Sequence, residues 1–327
     1  MSIFYNILQS VLVSMVPLLI VALGGMFSER GGVTNIALEG IMIMGAFSSA
    51  VVLILFIDKM PMQLLFIIAM LVGGLSGLLY SFLHAYAAIS MKSNQVISAT
   101  ALNLAIAPLA AVLIKAVRKV DSTWLEWGGK TFIIKEVPLL SKIPFIGDIF
   151  FKNVFISFYI GIAILIISSI ILFKTKFGLR LRACGENPHA ADSLGVNIYK
   201  VRYAGVLISG FLAGLGGAIF LITINGTAFR AEATAVSGFG FLALAVLIFG
   251  NWNPKRIIFA AVFFSFFRTI DANFTLLNGL INNAIPVNFR NLFKMVPYIA
   301  TLILLIFTSK NSGAPAADGQ VYDPGQR

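Results

Sequence analysis

The sequence predicts an all-α fold: a polytopic membrane helix bundle of about nine transmembrane helices (8–10), with one short helix outside the bilayer on the cytoplasmic side. Three observations carry this expectation. Apolar residues fill 59% of the 327 positions and charged residues only 11%. With Gly counted in place of Tyr the apolar share is about two-thirds, against roughly 45–50% in soluble domains. Mean hydropathy is +0.94, and uncharged runs long enough to cross a bilayer recur along the chain. A soluble chain with so little polar surface could not cover its own core. A disordered chain, a disulfide scaffold and a free cytosolic enzyme are therefore excluded.

The first run, Ile3–Phe27, is too long and unbroken for a cleaved signal peptide and lacks a basic leader, so it is expected to remain as the first span. Further spans are expected at Val33–Ile57, Met62–Ser90, Gln95–Ala116, Val154–Phe173, Tyr203–Thr223, Gly238–Gly250, Ile257–Ile270 and Met295–Thr308. Gly238–Gly250 is short, and is read as tilted, re-entrant or extended backwards through Ala231–Ser237. Alternation then puts Ser28–Gly32, Met91–Asn94, Lys174–Arg202, Asn251–Arg256 and the C-terminus on one side. The N-terminus and the long Val117–Asn153 segment fall on the other. Lys and Arg divide 12 to 12 between the two sides, so their total does not orient the chain. Their concentration does: Lys174–Arg202 carries six basic and two acidic residues, which marks its side as cytoplasmic. The tail beyond Ser312 is small and polar and is expected to be disordered.

The net charge of +11 does not point to nucleic acid, because the bases are spread over many short connections. Lipid head groups or a protein partner account for them better. Cys184 is the single cysteine and forms no internal disulfide, and with only His84 and His189 beside it there are too few ligands for a metal centre. No G-x-x-x-x-G-K-[ST] loop is present to hold ATP phosphates. The Gly210–Gly217 run lacks the lysine and is read as a helix-packing surface.

Three segments carry the chemistry. In the connection after the fifth span, Asn187 suits an N-cap, Pro188 the first helical position and Gly195 a left-handed stop. The spacing predicts a helix of about two turns over Pro188–Leu194, too short to persist unless something packs on it. It is either a connection resting on the bilayer or a rigid knob that docks into a cytoplasmic partner. At the start of the second span Asn35, Glu39 and Met42 are spaced to share one helical face. A carboxylate inside a span faces a wet cavity or a neighbouring helix, and both readings stand for Glu39. In the fourth span Gln95, Ala99 and Asn103 form a stripe whose amides serve either a hydrogen-bonding solute or the packing of helices in lipid. No catalytic set of carboxylates, His or Cys is visible, which disfavours a membrane enzyme.

Four blocks, in order, resemble one family. Gly32-Val-Thr-Asn-Ile-Ala-Leu-Glu-Gly-Ile-Met-Ile-Met-Gly-Ala-Phe47 is similar to the inner-membrane permeases of bacterial ABC importers, in the superfamily that carries branched-chain amino acids, ribose-type sugars and nucleosides. Asn94–Asn103, Gly178–Gly195 and Gly238–Pro254 match further blocks, and the Asn-x-Ala-x-Glu-Gly pattern resembles the nucleoside branch. Lys255 and Arg256 depart from the small or apolar residues more common after Pro254.

The resemblance implies that residues 1–310 form one permease domain, with 117–153 outside the cytoplasm, 177–200 a cytoplasmic coupling loop and 311–327 the tail. It implies transport of nucleosides, purine nucleosides first, across a bacterial inner membrane. A ribose-type sugar permease is the alternative, and an ion-coupled secondary transporter a more distant one. The chain itself would bind no cofactor and catalyse nothing; ATP and Mg would be bound by a partner ABC ATPase, often with two nucleotide-binding modules fused in one chain. A second homologous permease and a substrate-binding lipoprotein or periplasmic protein complete the implied assembly. Asn187, Pro188, His189, Ala190, Ala191, Asp192, Ser193, Leu194 and Gly195, with Glu186 before them, would be the coupling element. Arg180 and Arg182 would flank it and meet acidic groups on the ATPase. Asn35, Glu39, Gln95 and Asn103 are candidates for the solute pathway, with Phe239 stacking on a base.

Overall fold

The computed structural model describes residues 2–118, 122–138, 140–144, 146–275 and 313–325, with scattered residues between 278 and 303. In chain order, α1 is Ser2–Arg30, α2 Leu38–Phe56, α3 Met62–Ala85 and α4 Gln95–Arg118. The long connection after α4 holds β1 (Trp124–Glu126), β2 (Ile134–Glu136), α5 (Ile146–Phe150) and β3 (Lys152–Val154). Then come α6 (Ile156–Lys174), α7 (Lys176–Glu186), α8 (Pro188–Ser193) and α9 (Ile198–Phe220). β4 (Ala228–Arg230), α10 (Phe239–Phe249) and α11 (Pro254–Ala272) follow.

Among the described residues six helices are long and apolar enough to cross a membrane: α1, α2, α3, α4, α6 and α9. The protein is a polytopic helical membrane protein. The three remaining expected spans fare differently. Gly238–Gly250 is the 11-residue α10, about 16 Å long and therefore half a bilayer. Ile257–Ile270 lies within the 19-residue α11, where Lys255, Arg256, Arg268 and Asp271 interrupt the apolar run. Met295–Thr308 lies for the most part outside the described residues.

The core is built on α9, which packs against α1, α2 and α3. Its small residues permit this. A methyl added at Gly45 of α2 would stand 2.2 Å from the Gly214 carbonyl oxygen of α9. One added at Gly77 of α3 would stand 2.5 Å from that of Gly210, and one at Gly217 would meet Met42 O at 2.0 Å. The three backbones touch, and association in lipid relies on such close packing because no hydrophobic force separates apolar side chains from lipid tails. Ser49 adds a bond, its hydroxyl donating to Ala69 O of α3 at 2.8 Å. The Gly210–Gly217 run thus serves helix packing. Replacing Gly45 with Val is expected to cost about 3 kcal/mol or more by forcing α2 off α9, read as loss of the monodisperse, cooperatively melting protein in detergent.

Burial falls steeply away from this centre. The apolar window of α9 is 83% buried, whereas those of α4 and α6 are 22% each. The all-α expectation needs one amendment. β1 pairs antiparallel with β4 (Leu125 opposite Phe229), and β2 with β3 (Ile134 opposite Val154). Loop backbone folded over a helix end must still find partners for its N–H and C=O groups, and these short ladders supply them.

Side-chain contacts sort the connections into the two ends that alternation predicts. At one end Arg30 donates to Trp252 O (3.0 Å) and Arg202 to Gln320 O (3.0 Å), and Lys92 pairs with Asp323 (3.1 Å). At the other, Gln9 donates to Asp148 O (2.8 Å) and Gln63 to Phe132 O (3.0 Å). The tail departs from its expected disorder. Gly313–Gly325 follows a defined path over the first of these ends, with Ala317 and Tyr322 3% and 6% exposed. Average composition misread it, because a few well-placed apolar side chains, here Pro315, Ala317 and Tyr322, anchor a polar segment.

Candidate functional site

The α7–α8 elbow is built from local signals. The Thr175 hydroxyl caps α7 by accepting from the Gly178 N–H (3.1 Å). Asn187, extended at φ −149°, breaks the helix, and its Oδ1 accepts the Ala190 N–H at 3.0 Å. Pro188 takes the first helical position and Gly195 ends the turn at φ +78°. The resulting α8 is about 9 Å long. Its inner side is held by a small apolar nucleus, Ala191 with Cys184, Ile198 and Tyr322. Its outer side presents Ala190, Ser193 and Leu194, the last 85% exposed. α7 itself, an 11-residue helix, was not anticipated.

The flanking charges divide. Arg180 is exposed, whereas the Arg182 guanidinium lies 5.0 Å from the Phe173 ring centre and is half-buried. Glu186 is exposed and faces Arg30 at 3.8 Å. His189 is half-buried against Tyr322, ring centres 5.2 Å apart, and Asp192 is half-buried. Burial pushes the Cys184 thiol up to about 11. Burial also pushes the Asp318 carboxyl in the tail up to about 6, against the pull of the Thr34 hydroxyl, the Gly319 N–H and the Arg202 charge.

The polar residues of the second and fourth spans are brought together, but not on one helical face. α2 begins at Leu38, so Asn35 precedes it in a non-helical stretch. Asn35 Oδ1 accepts the Ala37 N–H (3.1 Å) and its amide donates to Ser209 (3.0 Å). Gln95 Oε1 accepts the Thr34 N–H at 2.7 Å. Asn103 accepts from the Gly40 N–H (2.7 Å) and donates to Ile36 O (2.9 Å). Backbone that leaves the helix inside a membrane protein must have its polar groups satisfied, and the amide stripe of α4 does this for residues 34–40. His84 joins them, bridging Thr34 O (3.1 Å) and the Ser98 hydroxyl (2.9 Å). Its place on the small-residue face of an apolar helix was the only signal for it.

Glu39 is 4% exposed and faces a neighbouring helix, not a cavity. Its carboxylate accepts the N–H groups of Gly238 (2.9 Å), Gly240 (2.6 Å) and Phe241 (3.3 Å). It therefore caps α10, whose partial positive N-terminus would otherwise end unpaired within the protein. Phe239 is 1% exposed, its ring 4.5 Å from that of Phe220 and 4.4 Å from the Arg268 guanidinium. No ring face is left for a base in this arrangement. Beside it, at the end away from α8, lies a cavity of about 640 Å³. Asn6, Gln9 and Ser14 of α1, Thr223, and Arg268, Asp271 and Asn273 of the α11 end line it with Phe239.

Glu29, absent from the sequence expectations, is 5% exposed at the end that carries α8, and its carboxylate accepts from the Trp252 indole N–H. An acid closing a long apolar run, next to Arg30, is the signal that could have found it. Among the described residues no group of three or more His, Cys, Asp or Glu is placed to hold a metal ion.

Fold and site together define a multi-pass helical membrane protein with an amphipathic elbow at one end and a polar cavity at the other. Residues 7–305 match the family described as the branched-chain amino acid transport system / permease component, and the chain belongs to that family. It is 39% identical over 320 residues to the nucleoside ABC transporter permease protein NupC of Lactococcus lactis, covering 97% of this chain and 96% of that one. It is 38% identical to the guanosine ABC transporter permease protein NupQ of Bacillus subtilis, covering 98% and 97%. A putative glucose ABC transporter permease protein of Haloferax volcanii, TsgC13, is 27% identical over 94% and 92%. No solved structure matches.

Proposed function

We propose that this chain is the membrane-spanning subunit of an ATP-driven importer of nucleosides, with purine nucleosides its first substrates, in a bacterial inner membrane. The observation that carries the reading is the near-full-length similarity to a nucleoside and a guanosine permease, at 39% and 38% identity. In this reading the end bearing α7 and α8 faces the cytoplasm, as its six basic and two acidic residues favour. A separate ATPase binds ATP and Mg and receives α8, whose exposed Leu194 and neighbouring Arg180 make the contact. A second permease covers the sparsely buried faces of α4 and α6, and a binding protein or lipoprotein delivers solute to the opposite end. There the 640 Å³ cavity, with its amides, hydroxyls and Arg268–Asp271, is the entry vestibule. Asn35, Glu39, Gln95 and Asn103 act by fixing the backbone around the pathway, since an oxygen of each accepts a backbone N–H.

The test is uptake into proteoliposomes. The chain reconstituted with its ATPase, sibling permease and binding protein imports labelled guanosine only with ATP inside, and excess unlabelled ribose does not compete. The chain alone imports nothing. Uptake by the chain alone along an ion gradient would remove this reading, and competition by ribose would move the substrate to the sugars.

A further inference from the structure

The segment Gly313–Gly325 lies across the ends of the spanning helices, and within 13 residues it meets four separate connections. Its first N–H, on Gly313, donates to Asn251 before α11. The Ala317 N–H donates to Gly185 O at the end of α7 (2.8 Å). Asp318 accepts from the Thr34 hydroxyl before α2 (3.2 Å). Gln320 O accepts from Arg202 at the start of α9 (3.0 Å), and Asp323 pairs with Lys92 between α3 and α4 (3.1 Å). Between these ties Tyr322 sits on α8, its ring 5.2 Å from His189 and 5.8 Å from Tyr199.

This path answers a mechanical question that α8 raises. A six-residue helix joined to α7 through one extended residue, Asn187, needs holding on both sides of that break if it is not to pivot there. A pivoting element absorbs a push instead of passing it on. The segment is held on both sides of that break, by Gly185 before it and by His189 and Ala191 after it. Close fit reinforces the hold: a methyl on Gly185 would meet Arg30 O at 2.4 Å and Pro315 at 3.1 Å. Arg202, 3% exposed, takes one of its acceptors from the segment's own backbone.

We propose that Gly313–Gly325 is a clasp that locks the α7–α8 elbow to the ends of α2, α9 and α11, with Tyr322 as its positioning residue, so that displacement of α8 moves the bundle. The proposal rests on the reading of α8 as the helix driven by the ATPase. Its chemistry is a tyrosine ring closing the Cys184–Ala191–Ile198 nucleus, backed by one backbone hydrogen bond to Gly185 and by polar ties to Asn251, Thr34, Arg202 and Lys92.

The chain carries its own reporter, because Cys184 is its single cysteine, is buried beneath Tyr322, and has its thiol held protonated by burial. In the full transporter complex, maleimide labelling of Cys184 is expected to accelerate at least ten-fold on Tyr322→Ala and on truncation after Ser312. Tyr322→Phe, which keeps the ring, stays at the native rate. In the same preparations ATP hydrolysed per solute imported is expected to rise at least five-fold for the alanine and truncated variants while ATPase activity persists, with Tyr322→Phe normal. Unchanged labelling, or faster labelling with an unchanged ATP-to-solute ratio, overturns the clasp. A Leu194→Asp control run alongside separates the two ideas. If it uncouples and the tail variants do not, the clasp falls and the role of α8 stands; if none of them changes the ratio, the role of α8 falls as well.

Discussion

Leu194→Asp is expected to abolish ATP-driven uptake while leaving the melting temperature of the purified protein unchanged. The side chain is 85% exposed at the tip of α8, so the substitution removes almost nothing from the folded subunit; surface changes of this kind stay within about ±0.5 kcal/mol. A leucine seated in a partner's groove, by contrast, contributes about 2–3 kcal/mol through burial. An aspartate there loses that and adds a desolvated charge, bringing the cost to on the order of 4 kcal/mol, or about a thousand-fold in affinity. The measurements are solute uptake, co-purification of the ATPase, and thermal unfolding of the permease alone. Retained co-purification with normal uptake would dissociate α8 from the ATPase contact. Ala191→Arg also stops uptake, but from within: Ala191 is 3% exposed against Cys184 and Tyr322, so α8 is dislodged and the melting temperature falls with it.

Glu39→Ala is the substitution with the largest expected effect on stability. It strips the acceptor from three backbone N–H groups at the start of α10, at Gly238, Gly240 and Phe241. Each N–H left unsatisfied away from water costs about 1–3 kcal/mol. With the lost attraction between a carboxylate and a helix N-terminus, the total is on the order of 5 kcal/mol. A fall in melting temperature of roughly 10 °C or more follows for a chain of this size. Glu39→Gln recovers only part, because an amide turns one accepting oxygen into a donor that faces donors. Gly240 cannot be enlarged to compensate, since a methyl there would stand 2.4 Å from the Glu39 backbone. A Glu39→Ala protein that melts like the native one would show that α10 is held by other means.

How far the sequence revealed this molecule depended on the range of the interaction. α8 was legible to within one residue, because Asn187, Pro188 and Gly195 act through their immediate neighbours. The apolar runs located six helices for the same reason: bilayer thickness imposes a length that any window can count. Asn35 failed, since helical spacing says nothing about where a backbone stops being helical, and the partners that permit the break lie on α4 and α9. Glu39 was recognised as costly, yet its partner begins 199 residues away. The tail was misjudged because three buried residues, Pro315, Ala317 and Tyr322, anchor a segment whose other residues are mostly small or polar. Phe239 was read as a platform for a base, and its ring is instead packed against Phe220 and Arg268, neighbours that come from other helices.

The touching glycines of α2, α3 and α9 leave no slack for sliding, so these three helices form a keel that must travel as one piece through every transport cycle. Whatever opens a way for solute has to swing at the flanks, where α4 and α6 hold to the rest by little buried surface. Paired spin labels on α2 and α9 are therefore expected to keep their separation with and without ATP, while pairs joining α4 or α6 to α9 change theirs.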